Sequence, residues 1–207
     1  MLAIDHVIVV VPDLEEAARR YEQQGLASVA GGRHLGHGTG NRIVPLGRSY
    51  IELMAVVDRE EAAASPLGAW VERRLAEAGA SPAALCLRTG DIEATARRTG
   101  YEPFPMRRTR PDGVELTWHL VALDAALTGG LPFFIRWDVD ELDHPGRAPV
   151  EHRCGAVGIE WVELGSDEDR LASWLGPHEL PLRHVDGAAG PHGIAVARAD
   201  GEPIIIS

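Results

Sequence analysis

Cysteine is scarce in this 207-residue chain: Cys86 and Cys154 are the only two. They form no CxxC pair and no disulfide framework, which excludes a stapled secreted scaffold and fits a reducing cytoplasm. Each sits in a strand-like stretch, where a small thiol packs as an apolar group. Positive charge is also in deficit. Lysine plus arginine total 20 against 31 aspartate plus glutamate, a net charge of -11. A surface of that sign repels phosphate backbones and anionic headgroups, which argues against nucleic acid and membrane as partners. No apolar run approaches the ~20 residues that a membrane helix needs. No basic region followed by an apolar core opens the chain, so no secretory leader is expected and the expected compartment is the cytoplasm. GxSxG, HExxH and a cysteine beside a helical histidine are all missing, so no nucleophile constellation stands out.

The rest is ordinary globular composition. Hydrophobic residues make up 45% and charged residues 25%, enough to build a sizeable core in one large domain or two small ones.

The chain opens MLAIDHVIVVVPDLEEAARRYEQQG. Residues 7 to 11 are an unbroken β-branched run, the composition of a buried strand. Asp13 suits a helix N-cap, with Glu16 at the third helical position for a capping box. Leu14, Ala17, Ala18 and Tyr21 recur at helical spacing, and Gly25 can end the helix. Three extended segments follow, around Ala27 to Ala30 and in NRIVPLG and SYIELMAVV. The order is β-α-β-β-β. After a helical connector, DREEAAASPLGAWVERRLAEAGAS, the order returns in AALCLRTGDIEATARRTG, YEPFPMRR, GVELTWHLVAL and LPFFIRWDV. A polar linker, DELDHPGRAPVEHR, leads to a third round in GAVGIEWVELGSDEDRLASWLG, LPLRHVDG, HGIAVARADG and EPIIIS. The helix caps superpose: Asp91 lies 78 residues after Asp13 and Asp167 lies 154 after it, two nearly equal steps. Self-similarity of this kind marks repeated supersecondary units. The expected class is α+β, with βαβββ modules at 1–58 and 81–140 joined by the connector into one domain, 1–146. A third βαβββ-like module occupies 153–207.

Several residues are candidates for chemistry. His6 heads the first strand, either as a core histidine with its ring nitrogens bonded or as a functional group. Glu52 shares a strand face with Tyr50 and Met54, away from Ile51 and Leu53. A carboxylate buried there must be paired or neutralised. The loop GGRHLGHGTG, with five glycines, is either a flexible hairpin connection or a pocket rim. In the second case its backbone N–H groups are free for an anion, and Asn41 points at a ligand. No helix follows the loop, so it is not a nucleotide-type phosphate loop. His119 shares a face with Thr117 and Val121, and is a spare ligand, a proton-transfer group or merely packed. Trp118, Phe133, Phe134 and Trp137 read as core, but in a cupped sheet one alternate set faces the cavity. Trp118 and Phe134 are the expected walls. Arg136 beside them is placed to meet a carboxylate bidentately, with a surface salt bridge as the alternative.

Four stretches carry a family resemblance: IDHVIVVVPDLEEAARRY, GGRHLGHGTGNRIVPLGRSYIELMAVVD, RPDGVELTWHLVAL and GGLPFFIRWDVDELDHPG. Together they resemble the vicinal oxygen chelate superfamily, in its glyoxalase-like subgroup, over residues 3 to 146. The resemblance implies a glyoxalase/bleomycin-resistance-like cupped barrel in which paired modules enclose a small-molecule site. It also implies a metal held by a histidine on the first strand and a carboxylate on the fourth, with a matching pair from the other module. His6 and Glu52 fall at the first-module positions, and imidazole plus carboxylate suits Zn, Fe, Mn or Ni. Shared ligation or a direct hydrogen bond puts their tips within about 5 Å.

The second module departs from the pattern. Ala84 stands where the offset of 78 places the histidine, and LPFFIRW offers no carboxylate before Asp138. Two functional classes stay open beside a third, a scaffold whose pocket has degenerated. One is a divalent-metal-dependent lyase, isomerase or dioxygenase, with Glu52 or His119 moving the proton. The other is a metal-free protein of the antibiotic-resistance type that binds or sequesters a small molecule. Three modules are an odd number for a fold that closes by pairing. The third therefore covers one side or pairs with its copy in a second chain, and a homodimer is expected.

Overall fold

The computed structural model describes residues 1–110 and 113–207, with Thr109 described by its backbone only. Pro111 and Asp112, part of the RPDGVEL stretch, lie outside the described residues. The first module is β1 (Leu2–Val10), α1 (Leu14–Gln23), β2 (Val29–His34), β3 (Thr39–Leu46) and β4 (Ser49–Val56). The connector holds two helices, α2 (Arg59–Ala63) and α3 (Pro66–Ala78). It breaks at Ser65–Pro66 because proline cannot continue a helix but suits the first position of the next, which Ser65 caps. The second module is β5 (Ser81–Thr89), α4 (Ile92–Thr99), β6 (Phe104–Thr109), β7 (Glu115–Val121) and β8 (Phe133–Trp137), with an extra helix, α5 (Leu123–Gly129), before β8. A strap with two 3-10 turns, Glu141–Asp143 and Pro145–Arg147, crosses to β9 (Ala156–Gly165), α6 (Glu168–Leu175), β10 (Leu182–Val185), β11 (Gly190–Arg198) and β12 (Ile204–Ile206).

The three aligned aspartates act alike. The side chains of Asp13, Asp91 and Asp167 accept from the backbone N–H groups of Glu16, Ala94 and Arg170 at 2.7, 2.8 and 2.8 Å. The capping box at Asp13 is half-made, because the Glu16 carboxylate turns to Arg20 instead.

Eight strands form one sheet in the order β2-β3-β4-β1-β5-β8-β7-β6. Each module's first strand lies parallel to its own last strand, and β1 and β5 join the halves antiparallel. The outer strands β2 and β6 touch, so the sheet curls into a nearly closed cup. Alternation sorts the side chains. Val7, Val9, Ile51, Leu53, Leu85 and Leu87 face outward into the main core, while Ile8, Val10, Met54, Ala84 and Cys86 face inward.

The third module repeats the element order but not the pairing. Its sheet runs β10-β9-β11-β12, so its first strand is flanked by its second and third rather than by its last. This sheet lies on the outer face of the cup, where Val162, Leu164, Ile194, Val196 and Ile206 complete the main core with α1, α4 and α6. The third module covers one side of the cup. Its core-facing side chains are buried without a second chain. Among the described residues, no helix is long and apolar enough to cross a membrane.

Candidate functional site

Consecutive strand residues normally point to opposite faces. Asp5 and His6 break that rule through a bulge. Ile4 pairs with Leu87 and His6 pairs with Cys86, so Asp5 is the extra residue on β1. Both side chains turn inward, and His6 Nδ1 meets Asp5 Oδ1 at 2.7 Å. The other Asp5 oxygen, Oδ2, accepts from Arg88 Nε at 2.8 Å, Trp137 Nε1 at 3.0 Å and His144 Nε2 at 3.2 Å. Burial alone pushes the Asp5 carboxyl up. Hydrogen bonds from His144 and His6 and their charges outweigh it and hold the group well below the usual carboxylate range. His144 belongs to the strap. The Gly146 backbone N–H faces its Nδ1 at 3.1 Å, while Arg88 Nη2 and Asp5 Oδ2 lie 2.8 and 3.2 Å from its Nε2. Burial, with Arg88 nearby, keeps His144 below the ordinary histidine value.

Because Nδ1 is tied to Asp5, His6 presents Nε2 to the cup. Tyr50 stacks on its ring at 4.5 Å, and Phe133 meets it edge-on at 5.7 Å. Glu52 Oε2 lies 3.5 Å from His6 Nε2. Glu52 Oε1 accepts from Asn41 Nδ2 at 2.6 Å. The second Asn41 hydrogen faces His34 Nε2 at 3.3 Å, and His34 Nδ1 meets Thr39 Oγ1 at 2.9 Å. Burial holds His34 below the ordinary histidine value. Arg108 Nη1 donates to Asn41 Oδ1 at 3.3 Å, which ends the chain Arg108–Asn41–Glu52.

These groups form the polar end of a cavity of about 190 Å³. The remaining walls are apolar, chiefly Phe104, Met106, Trp118, Leu120, Phe133 and Trp137. The glycine-rich loop is not free for an outside anion. The Gly36 and Gly38 N–H groups donate to the two oxygens of Glu61 on α2, at 2.6 and 3.1 Å. The loop binds a carboxylate, but one supplied by this chain.

A sequence profile for the glyoxalase-like domain matches residues 4–180. The chain belongs to that family, within the vicinal oxygen chelate superfamily. A solved structure of a hypothetical protein from Staphylococcus aureus is similar at TM-score 0.74 and 20% identity, over 97% of this chain and 93% of its own. Methylmalonyl-CoA epimerases of Streptomyces coelicolor and Mycobacterium tuberculosis reach TM-scores of 0.48 and 0.46 at 18% and 21% identity. Those matches cover 66% and 64% of this chain, and 97% and 85% of theirs. No curated protein matches. At these identities the likeness to the solved structures is one of fold.

In this glyoxalase-like cup the two halves are related through the β1–β5 pair. Ile8 pairs with Glu52 on β4, and Cys86 pairs with Phe133 on β8. His6 pairs with Cys86, and Ile8 with Ala84. The second-half counterparts of His6 and Glu52 are therefore Ala84 and Phe133, neither of which can ligate. Among the described residues one trio of potential ligands lies together, Asp5, His6 and Cys86, with ligand atoms within 4.8 Å of one another. Its chemistry does not fit a resident ion. Both Asp5 oxygens are taken by four N–H donors, one of them the Arg88 cation. Burial, with Asp5 and Glu52 adding to it, pushes the Cys86 thiol well above its ordinary value.

Of the residues expected in the site, His6, Glu52, Asn41 and Trp118 line the cavity. His119, Phe134 and Arg136 do not join it. On β7, Trp118 and Leu120 face in, so His119 faces out. There its Nδ1 meets Asp138 Oδ2 at 2.6 Å and Arg136 Nη2 at 3.3 Å. On β8 the inward set is Phe133, Ile135 and Trp137. Phe134 is buried in the main core under Trp174 and Arg98, and Arg136 forms a surface network with Glu93 and Asp138. The charges at 136 and 138 are the signal that this alternate set faces away from the cavity. Asp5, Arg108 and His144 escaped sequence reading. Their roles depend on a bulge, on the β2–β6 closure and on the strap.

Proposed function

We propose that this protein binds a small, largely apolar molecule in the cup and moves a proton on it with Glu52 and His6, without a resident metal. One observation carries the reading: His6 Nε2 and Glu52 Oε2 face each other at 3.5 Å while the Nδ1 proton is committed to Asp5. Two acceptors at that distance repel unless one carries a proton, so the pair is built to hold and pass one. The Glu52 carboxylate takes a proton from a carbon made acidic by an adjacent carbonyl. The oxyanion that forms is met by the free N–H donors of Arg108. Protonated His6 returns a proton to carbon, and Asp5 steadies the imidazolium. The outcome is an isomerisation or a proton exchange.

A second reading is metal-free binding without chemistry, which the apolar walls support. A metal-dependent lyase or dioxygenase is the less favoured reading, because Ala84 and Phe133 stand where the second half would supply its ligands. The cavity is complete within one chain, so this reading requires no homodimer. Two unpaired cysteines favour a cytoplasmic setting. The test is exchange in deuterated water. Small aryl and alkyl carbonyl compounds are incubated with chelator-treated protein, and loss of the α-proton NMR signal is followed. Exchange that Glu52→Gln abolishes supports the reading; binding without exchange favours sequestration, and exchange that requires added metal overturns it.

A further inference from the structure

We infer that the ligand carries a carboxylate and that Arg108 is the residue that recognises it. The inference rests on the cavity being the ligand site and names the class of molecule it takes.

Among the described residues, Arg108 is the one permanently charged cation that lines the cavity. Its guanidinium has a single hydrogen-bond partner among the described residues, the neutral side chain of Asn41. Other half-buried arginines here are matched to carboxylates: Arg42 to Glu15, Arg88 to Asp5, Arg136 to Glu93 and Asp138. Arg108 is not, although Glu52 lies in the same cavity. Asn41 stands between them, giving its amide N–H to Glu52 and its carbonyl to Arg108. The arrangement keeps one anion and one cation a side chain apart instead of letting them neutralise each other. A cation turned into an apolar cavity without an anion is costly. The cost is recovered when a ligand supplies the anion, and a guanidinium fork matches a carboxylate in two parallel bonds.

The other dimensions agree. The other walls include the flat, apolar Trp118, Phe133 and Trp137, so the rest of the molecule is planar or branched hydrocarbon. Glu52 is one amide away from Arg108, which sets the reacting carbon next to the carboxyl group. Gly32 provides the room for this arginine. A Cβ there would lie 3.2 Å from Arg108 Cδ.

The experiment is calorimetric titration with matched pairs, benzoate against benzamide and phenylacetate against phenylacetamide, on wild type and on Arg108→Met. Each acid differs from its amide by little more than its charge. The expected result is that at least one acid binds wild type about tenfold or more tightly than its amide. Arg108→Met, with an unchanged melting temperature, then binds both members alike. Equal affinity for acid and amide overturns the carboxylate inference while leaving the cavity a ligand site. So does a preference that survives Arg108→Met. Failure of every probe to bind overturns it too, and leaves the exchange assay on Glu52 as the separate test of proton transfer. If the variant does not fold, the wild-type acid–amide comparison decides alone.

Discussion

Asp5 and His6 are neighbours on one strand, yet their side chains meet at 2.7 Å on the same face of the sheet. The bulge that allows this places a fully buried carboxylate where four N–H donors converge. Asp5→Asn keeps the shape and removes the charge, leaving Arg88 without its anion and forcing an amide N–H against a donor. We expect a loss of roughly 3–5 kcal/mol, the scale for breaking a buried charge pair from one side. Urea unfolding of the two proteins measures it. A loss below ~1 kcal/mol would show that the cluster is not electrostatically coupled.

Acid destabilises the protein in two windows. His34 and His144 have folded values below the ordinary 6.5, chiefly through burial. The unfolded chain therefore binds protons that the folded one refuses, and stability falls as pH drops below 6.5 toward those lowered values. Asp5 lies below its ordinary 3.8 when folded. Its contribution is complete above 3.8 and is lost as pH falls further. Denaturation midpoints from pH 7 down to about 2 trace the upper decline and the onset of the lower one. His144→Gln flattens part of the upper one, and an unchanged upper slope would exclude His144 as a contributor.

Gly31→Ala disturbs the site without altering any group in it. A Cβ at residue 31 would lie 2.0 Å from Asn41 Oδ1 and 2.7 Å from its Cγ. Asn41 must swing away, breaking its bonds to Glu52 and Arg108. Overpacking of this kind costs about 1–3 kcal/mol. Stability falls by that amount while ligand affinity and proton exchange fall far more. Proportionate losses in stability and function would count against the role given to Asn41.

Metal should be dispensable. Elemental analysis of protein purified without added metal is expected to give well below one ion per chain, and chelator should leave the melting temperature unchanged. One tightly held ion per chain, lost in His6→Ala, would refute the ligand argument from Ala84 and Phe133.

Much of the fold was legible because it is written in local pattern. Asp13, Asp91 and Asp167 declare their helices by capping chemistry that spans three residues. Glu52 declares its inward face by alternation with Ile51 and Leu53, and its tip stands 3.5 Å from His6. What escaped depends on a second strand or a distant loop. Nothing near Asp5 announces a bulge, which exists only in the register with Leu87 and Cys86. Phe133 and Phe134 are identical in kind, and only the charges at Arg136 and Asp138 tell which one faces in. The N–H groups of the glycine loop read as free because their acceptor, Glu61, sits on another element. GVELTWHLVAL read as one strand, but Ala122 at φ 63° reverses the chain and starts α5.

The sheet laid over the outside of the cup also sets an order of events at the ribosome. The cup's last strand ends at Trp137, but β11 and β12, which shield its apolar back, reach to Ile206. At ~5–20 residues per second, several seconds separate the two. During that interval Val7, Val9, Ile51, Leu53 and their neighbours have α1 and α4 beside them but lack the third module's sheet and helix. A nascent chain that ends between 137 and 190 therefore still exposes apolar surface that β11 and β12 cover once they are made.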